Sequence, residues 1–275
     1  MYSRVYVEIT NRCNRACSFC PGTIREKKSL SMEEFQMIVN KLKGITKYLY
    51  LHVMGEPLVH PQLPEFIRYA TGQGFKVAIT TNGTLLSKRE EELLNSGIYK
   101  INVSLHSFEE GSKEEQEEYV RNCIDFVDKS SKAGILTVLR LWNEGVDEGR
   151  NEETVALLKA YFGDDWFLGA RGARLRDKLH LEYGERFDWP DSGLDALGDE
   201  VFCYGLKDHF GILCNGTVVP CCLDREGVIA LGNIFTEQPE EILSSERAVV
   251  IREGFKRRQA VEDLCKKCGY ARRFE

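Results

Sequence analysis

Glu8-Ile9-Thr10-Asn11-Arg12-Cys13-Asn14-Arg15-Ala16-Cys17-Ser18-Phe19-Cys20-Pro21-Gly22 sets three cysteines in the spacing C-x3-C-x2-C directly behind an alternating apolar segment that begins at Val5. Alternation at period two reads as a strand, and the shift to polar residues, Pro and Gly beyond it reads as a loop. Three thiolates on one loop can hold three irons of a 4Fe-4S cube. No fourth cysteine lies nearby in the sequence to close the site, so one iron is left open.

The motif has company. Phe19 lies between the second and third cysteines, and a second strand candidate runs into Met54-Gly55-Glu56-Pro57. Thr80-Thr81-Asn82-Gly83, Ser104-Leu105-His106 and Arg140 follow. Spread over residues 4 to 143, these segments resemble the radical SAM superfamily, with Met54 in place of the first glycine of its Gly-Gly-Glu-Pro element. The resemblance implies that the iron left open at Cys13, Cys17 and Cys20 binds S-adenosylmethionine. One electron to its sulfonium would release a 5′-deoxyadenosyl radical that takes a hydrogen atom from a substrate. A flavodoxin or ferredoxin-type protein is the implied electron donor. The resemblance also implies cofactor contacts from Phe19, Gly55, Glu56, Pro57, Thr80, Asn82, Ser104 and Arg140, with Met54 narrowing the approach to the backbone. Arg140 suits the cofactor carboxylate, because a guanidinium fork matches a carboxylate at two points.

Composition narrows the setting. A chain of 275 residues can bury a full core as one or two units. A net charge of −6 and a pI near 5.6 argue against a nucleic-acid partner, which would call for a basic stripe. No apolar run reaches transmembrane length and the first residues show no signal-peptide pattern, so no membrane and a cytoplasmic location are expected. Ten cysteines in such a chain read as metal or cluster ligands in an oxygen-poor cytoplasm.

From Val5 to about Phe162, short β-branched strands alternate with amphipathic helices, the pattern of βα units with a parallel sheet. Strands are expected at Val5 to Thr10, Tyr48 to Val53, Phe75 to Thr80, Lys100 to Leu105 and Ile135 to Leu141, with a sixth between Trp166 and Leu175. Ser31 with Glu34 and Ser87 with Glu90 have capping-box spacing. The resulting expectation is an α/β fold, a partial (β/α)6 radical SAM barrel over residues 1–178, followed by a linker over 179–202 and a small hairpin-plus-helix domain over 203–275. Asn215-Gly216 is the strongest hairpin signal in the chain. One helix is expected from about Gln238 to Arg258.

A second cysteine set lies in that last region. Cys203 is followed by twelve residues, Gly216, four residues and Cys221, and the set ends with Cys265-Lys266-Lys267-Cys268. Four thiolates close a site. The arrangement resembles the twitch domain, a shortened SPASM domain, of radical SAM enzymes that oxidise an alcohol on an aminocyclitol, and implies an auxiliary 4Fe-4S cluster. Zinc takes the same ligands and is the alternative. Cys222 adjoins Cys221 and could replace it as ligand. Cys214 and Cys123 fit better as buried apolar residues.

Strand alternation sets Glu8 with Thr10, His52 with Tyr50, and Asn102 with Ser104 and His106 inside the barrel. His52, His106 and Glu8 are the candidate proton acceptors, with Arg171 a further group able to reach the substrate; a histidine titrates nearest neutrality. His60, His180 and His209 are expected at the surface. In the linker, Tyr183, Phe187 and Trp189 could stack on a sugar, and Asp188 and Asp191 could meet amino groups, although anchoring of the linker is the simpler role. The expected activity is hydrogen abstraction from a hydroxylated small molecule, a sugar or aminocyclitol, with the auxiliary cluster taking the second electron. The alternatives are a maturase of a ribosomally made peptide, whose leader would need a separate partner because the barrel starts by residue 5, and a non-catalytic zinc or Fe-S scaffold.

Overall fold

The computed structural model describes residues 1–108 and 111–274. In chain order the elements begin with β1 (Arg4–Val7), α1 (Met32–Lys41), β2 (Tyr48–Tyr50), α2 (Leu63–Gly72), β3 (Lys76–Thr81) and α3 (Leu86–Leu94). Next come β4 (Lys100–Ser104), α4 (Lys113–Lys132), β5 (Leu136–Glu144) and α5 (Arg150–Phe162). β1 to β5 pair in order and in parallel, as βα units must when each helix crosses back over the sheet. The helices bury their apolar faces on the outer side of the sheet; Phe35 of α1 and Phe66 of α2, both fully buried, stack at 4.2 Å.

Local signals account for most of these boundaries. Ser31 and Glu34 exchange both capping-box bonds at the start of α1, and Ser112 with Glu115 does the same for α4. The box expected at Ser87 does not form. Leu86 N–H already donates to Gly83 O at 3.1 Å, so the helix starts earlier and Ser87 lies inside it.

The sixth parallel strand is not where the sequence placed it. Trp166 to Leu175 instead supplies an antiparallel hairpin, β6 (Phe167–Gly169) and β7 (Gly172–Arg176). The sixth parallel strand is β8 (Leu179–Glu185), which pairs with β5 and was expected to be irregular linker. Its apolar signal is short: Leu179 and Leu181 alternate into the core, while His180, Glu182 and Tyr183 make the segment look like loop. The barrel half thus continues past 178 to 185, and among the described residues the irregular stretch begins at Arg186.

The C-terminal part adds β9 (His209–Ile212), β10 (Thr217–Val219) and β11 (Gly232–Asn233), then α6 (Pro239–Ser244), α7 (Glu246–Lys256) and α8 (Asp263–Lys266). β9 and β10 form the expected hairpin around Asn215-Gly216. β9 also pairs in parallel with β1, so one open sheet runs β11-β10-β9-β1-β2-β3-β4-β5-β8-β7-β6. The single helix expected from Gln238 to Arg258 is broken at Ser245, which turns to ψ 151° and caps α7 through Ala248 N–H. Among the described residues no helix is long and apolar enough to cross a membrane.

Candidate functional site

The cysteine loop leaves the C-terminal end of β1 and is closed at its feet. Thr10 and Ser29 hydroxyls bond at 2.8 Å, and the Asn11 amide ties Glu26 O and Lys28 N–H. Glu8 is fully buried, and both of its oxygens are taken. They accept a two-point bond from Arg25 at 2.7 and 2.8 Å, plus the N–H groups of Met54 and Cys214. Glu8 is therefore a tie between β1, the loop and the C-terminal hairpin, which corrects its expected place among the proton acceptors. Thr23 and Ile24 of the same loop reach Glu226, and Arg25 donates to Arg225 O.

Gly55 presses directly on this loop. Its φ is +78°, and a Cβ there would stand 2.5 Å from Thr10 O and 2.7 Å from Arg12 O. Glu56 N–H donates to Arg12 O at 2.8 Å, while its buried carboxylate accepts from Leu58 N–H and Asn82 N–H. Burial raises that carboxyl to about 7. Asn82 in turn donates to Asn14 Oδ1 at 3.0 Å and stands 4.0 Å from Cys13 Sγ. Gly55, Glu56, Pro57 and Asn82 thus shape the loop from behind and do not line the cavity described next. Met54 is buried with them and does not line that cavity.

The three sulfurs stay accessible: Cys13 and Cys20 are exposed and Cys17 is half-buried. Cys17 Sγ donates to Ser107 O at 3.4 Å. Burial raises the Cys13 thiol, and backbone N–H groups of Arg15 and Asn14 oppose that rise. Donors aimed at a sulfur favour its thiolate, the form that ligates iron. Three thiols on one accessible loop, one of them with such donors, fit an iron cluster.

A cavity of about 810 Å³ opens beside this loop and runs along the inner face of the sheet. Strand register stacks the residues of this inner face in layers. Tyr6, Tyr50, Ala78 and Lys100 share one level, Thr80 and Asn102 the next, and Ser104, Arg140 and Glu182 the third, nearest the strand ends that carry the loop. Phe19 reaches in from the cysteine loop and packs on His106 at 5.1 Å. Of the residues expected to touch S-adenosylmethionine, Phe19, Thr80, Ser104 and Arg140 line this cavity. Arg140 lies over the Trp142 ring at 4.5 Å, and its Nε stands 3.3 Å from Glu182 Oε2 without hydrogen-bond alignment.

His52 is held in the middle layer. Thr80 N–H donates to Nδ1 at 3.2 Å, so Nε2 carries the proton and donates to Thr80 Oγ1 at 3.1 Å. Asn102 Nδ2 also donates to Thr80 Oγ1, which directs the threonine hydroxyl hydrogen away from both. Burial, then the cations Arg140 and Lys100, push His52 down to about 3, so it stays neutral. With both nitrogens occupied, His52 fixes Thr80 instead of accepting a proton. His106 Nδ1 stands 3.1 Å from Arg140 O and 3.3 Å from Trp142 N, and its ring lines the cavity. Arg171 is exposed on the β6–β7 turn, outside the lining. His60 and His209, expected at the surface, are not there: His60 is buried against Leu30 O, and His209 lines the cavity, pushed by burial and by Arg4 to about 4.

The far end of the cavity holds the second cysteine set. β10 runs antiparallel to β9, so its end delivers Cys221 and Cys222 to the level where β1 begins. Cys203, Cys221, Cys222, Cys265 and Cys268 all line this end, and burial raises each thiol, Cys203 to about 11. Cys221 interacts electrostatically with Cys222, Cys203, Cys265 and Cys268; Cys222 interacts with Cys203 and Cys268 and also hydrogen-bonds Tyr6. Thiols gathered in this way release protons only when a metal compensates them, which suits a resident cluster. Among the described residues no three His, Cys, Asp or Glu side chains are gathered around a single-ion site. Cys214 and Cys123 are buried, yet both make polar contacts: Cys214 Sγ accepts from Arg25 at 3.7 Å, and Cys123 hydrogen-bonds Tyr119. In the linker, Asp191 pairs with Arg225 at 2.6 Å, and Phe187 packs on Trp189 and Tyr270, so anchoring is one role of these residues; Phe187 and Trp189 also face the cavity.

Residues 7–158 match the radical SAM superfamily, and residues 203–269 match the SPASM iron-sulfur cluster-binding domain. The first match spans more than half of the sequence, and the chain belongs to the radical SAM superfamily. A 4Fe-4S cluster and S-adenosylmethionine come with the first domain and auxiliary iron-sulfur with the second, in place of the zinc alternative. Among curated relatives, GTP 3′,8-cyclase of Chlorobaculum tepidum is 31% identical over 38% of this chain and 33% of its own length. GTP 3′,8-cyclase of Aquifex aeolicus is 29% identical over 71% of this chain and 61% of its own length. AdoMet-dependent heme synthase of Methanosarcina barkeri is 32% identical over 36% of this chain and 29% of its own. The chain therefore spans less than two thirds of these relatives. Among solved structures, BtrN in complex with AdoMet and 2-DOIA superposes with TM-score 0.62 at 18% identity, over 98% of this chain and 93% of that one. Native anSMEcpe with bound AdoMet gives 0.61 at 14% identity over 97% and 86%. Streptococcus suis SuiB bound to precursor peptide SuiA gives 0.57 at 16% over 98% and 70%. At these identities the likeness is one of fold.

Proposed function

We propose that the chain is a radical SAM oxidoreductase of a hydroxylated small molecule. In this reading Cys13, Cys17 and Cys20 hold the first cluster and Cys203, Cys221, Cys265 and Cys268 the auxiliary cluster. One observation carries it: a single cavity connects the strand ends beside the cysteine loop with the auxiliary cysteines at its other end. A substrate there could give up a hydrogen atom at one end and an electron toward the other. Cleavage of S-adenosylmethionine supplies the hydrogen-abstracting group. Phe19, Thr80, Ser104 and Arg140 hold the cofactor on the cavity side, and Gly55, Glu56, Pro57 and Asn82 act through the loop they brace.

Of the three proton acceptors offered by the sequence, His106 is the one retained. Its ring lines the cavity, with Nδ1 3.1 Å from Arg140 O and 3.3 Å from Trp142 N. A volume of about 810 Å³ lies in the range of small-molecule sites, which supports a small substrate over the peptide reading that SuiB suggests. Exposed Cys13 and Cys20, with Ile24 beside them, offer the surface for a flavodoxin or ferredoxin-type donor in an oxygen-poor cytoplasm.

The test is isotopic. The reconstituted protein is incubated anaerobically with S-adenosylmethionine and a panel of polyols and sugar derivatives deuterated at the carbinol carbons. Deuterium in 5′-deoxyadenosine together with a ketone product supports the reading. Deuterium transfer without net oxidation of any compound refutes the oxidoreductase assignment.

A further inference from the structure

We propose that the end of the cavity away from the first cysteine loop is an anion subsite formed by Arg4 and Lys100, and that the substrate carries a phosphate or carboxylate there. The inference rests on the cavity being the substrate site and narrows the substrate class.

The placement follows from the strands. Arg4 opens β1 and Lys100 opens β4, and both line the cavity. Ser104 ends β4, so Lys100 lies four residues deeper, about 13 Å at the usual rise per strand residue. Arg4 and Lys100 nevertheless act on one another electrostatically across the interior, and Arg140 acts on Lys100 from the cofactor side. Glu182 is the acid set against Lys100 and Arg140, one carboxylate facing two cations, and Asp224, bonded by the Val228 and Ile229 N–H groups, lines the cavity beside Cys265. Arg4 faces Tyr6, Tyr50 and Cys222, and its buried Nε has no hydrogen-bond partner among the described residues. His52 and His209, the titratable rings at this depth, are held neutral and offset none of the positive charge. Charges at the other end are mixed, with Asp147, Glu148 and Arg150 on the segment after β5.

Like charges gathered on the wall of a low-dielectric cavity are unfavourable unless an anion joins them. A guanidinium fork on β1 and a point charge on β4, both lining one cavity, suit an oxyanion. The same wall repels a polyamine, so an aminocyclitol is a poor fit at this end and a sugar phosphate or sugar acid a good one.

The test uses iron-loaded protein with S-adenosylmethionine present and two probes, inorganic pyrophosphate and glutarate, in equilibrium dialysis. The loaded protein is expected to bind at least one probe, and the probe preferred tells phosphate from carboxylate. Lys100→Met and Arg4→Gln should each weaken that binding about tenfold, and Lys100→Arg by less than about threefold. Iron content and S-adenosylmethionine binding should be unchanged. Binding of neither probe by the parent overturns the proposal, as does equal binding by parent and folded variants. Loss of S-adenosylmethionine binding in Lys100→Met would assign the lysine to the cofactor, and loss of half the iron in Arg4→Gln would assign the arginine to the auxiliary thiolates. Either result also overturns it. Anion binding without any 5′-deoxyadenosine would refute the proposed function and leave the subsite standing.

Discussion

Cys221 and Cys222 are adjacent in the chain and both line the far end of the cavity, but Cys222 is the one that hydrogen-bonds the Tyr6 hydroxyl on β1. Sequence spacing alone leaves either as a ligand; we propose Cys221, because Cys222 is engaged with Tyr6. Cys221→Ala should therefore remove the auxiliary cluster, about four irons per chain, and Cys222→Ala should retain it. Iron and sulfide analysis of the two variants checks the assignment, and the reverse pattern would exchange their roles.

Gly55 is where two loops touch. Gly55→Ala adds a Cβ 2.5 Å from Thr10 O on a backbone at φ +78°, so both contact and conformation oppose it. Strain of this kind costs roughly 1–3 kcal/mol, and relief requires moving the foot of the cysteine loop. A lower melting temperature of the metal-free protein and weaker incorporation of the first cluster are expected. A variant that melts and loads like the parent would show that the loops are not braced there.

Glu8 and Arg25 form a nearly buried pair, with side-chain exposures of 0% and 11%. Removing one partner leaves the other charge uncompensated, at a cost of about 3–5 kcal/mol. Denaturant unfolding of Arg25→Met should show a loss of that order. If Glu8 were a proton acceptor instead of a tie, Glu8→Gln would abolish turnover while leaving unfolding unaffected.

His52 adds a pH dependence. Its folded value, about 3, lies below the ordinary 6.5, so the unfolded chain binds more protons between these limits. The stability linked to His52 is therefore complete above pH 6.5 and is lost as the pH falls toward 3. Thermal melts of His52→Gln should show a shallower acid-side decline than the parent across the upper part of that window, where few carboxylates titrate. Parallel curves would mean that His52 protonates in the folded protein without penalty.

The sequence carried the cysteine motif, the five parallel strands from β1 to β5 and the C-terminal hairpin, because each is a local signal: a fixed spacing, an alternating run, an Asn-Gly turn. β8 was missed because only Leu179 and Leu181 mark its buried face among polar neighbours. The split of the last helix was missed because Ser245 satisfies helical propensity until its cap geometry is seen. Glu8 and His52 are candidates in the sequence for a different reason. A polar residue facing inward looks the same in sequence whether substrate or protein satisfies it, and here Arg25 and Thr80 do. Arg4 and Lys100 carry no sequence signal, and His209 reads as a surface residue, since isolated basic residues at strand starts carry no pattern until the sheet brings them together.

The most direct measurement is iron and sulfide per chain after anaerobic reconstitution, for the parent and for the triple variant Cys13→Ala, Cys17→Ala, Cys20→Ala, with 5′-deoxyadenosine assayed after dithionite. The account predicts about eight irons in the parent, about four in the variant, and nucleoside from the parent only. About four irons in the parent and none in the variant would contradict a second cluster at the far end of the cavity, and with it the proposed path for the electron.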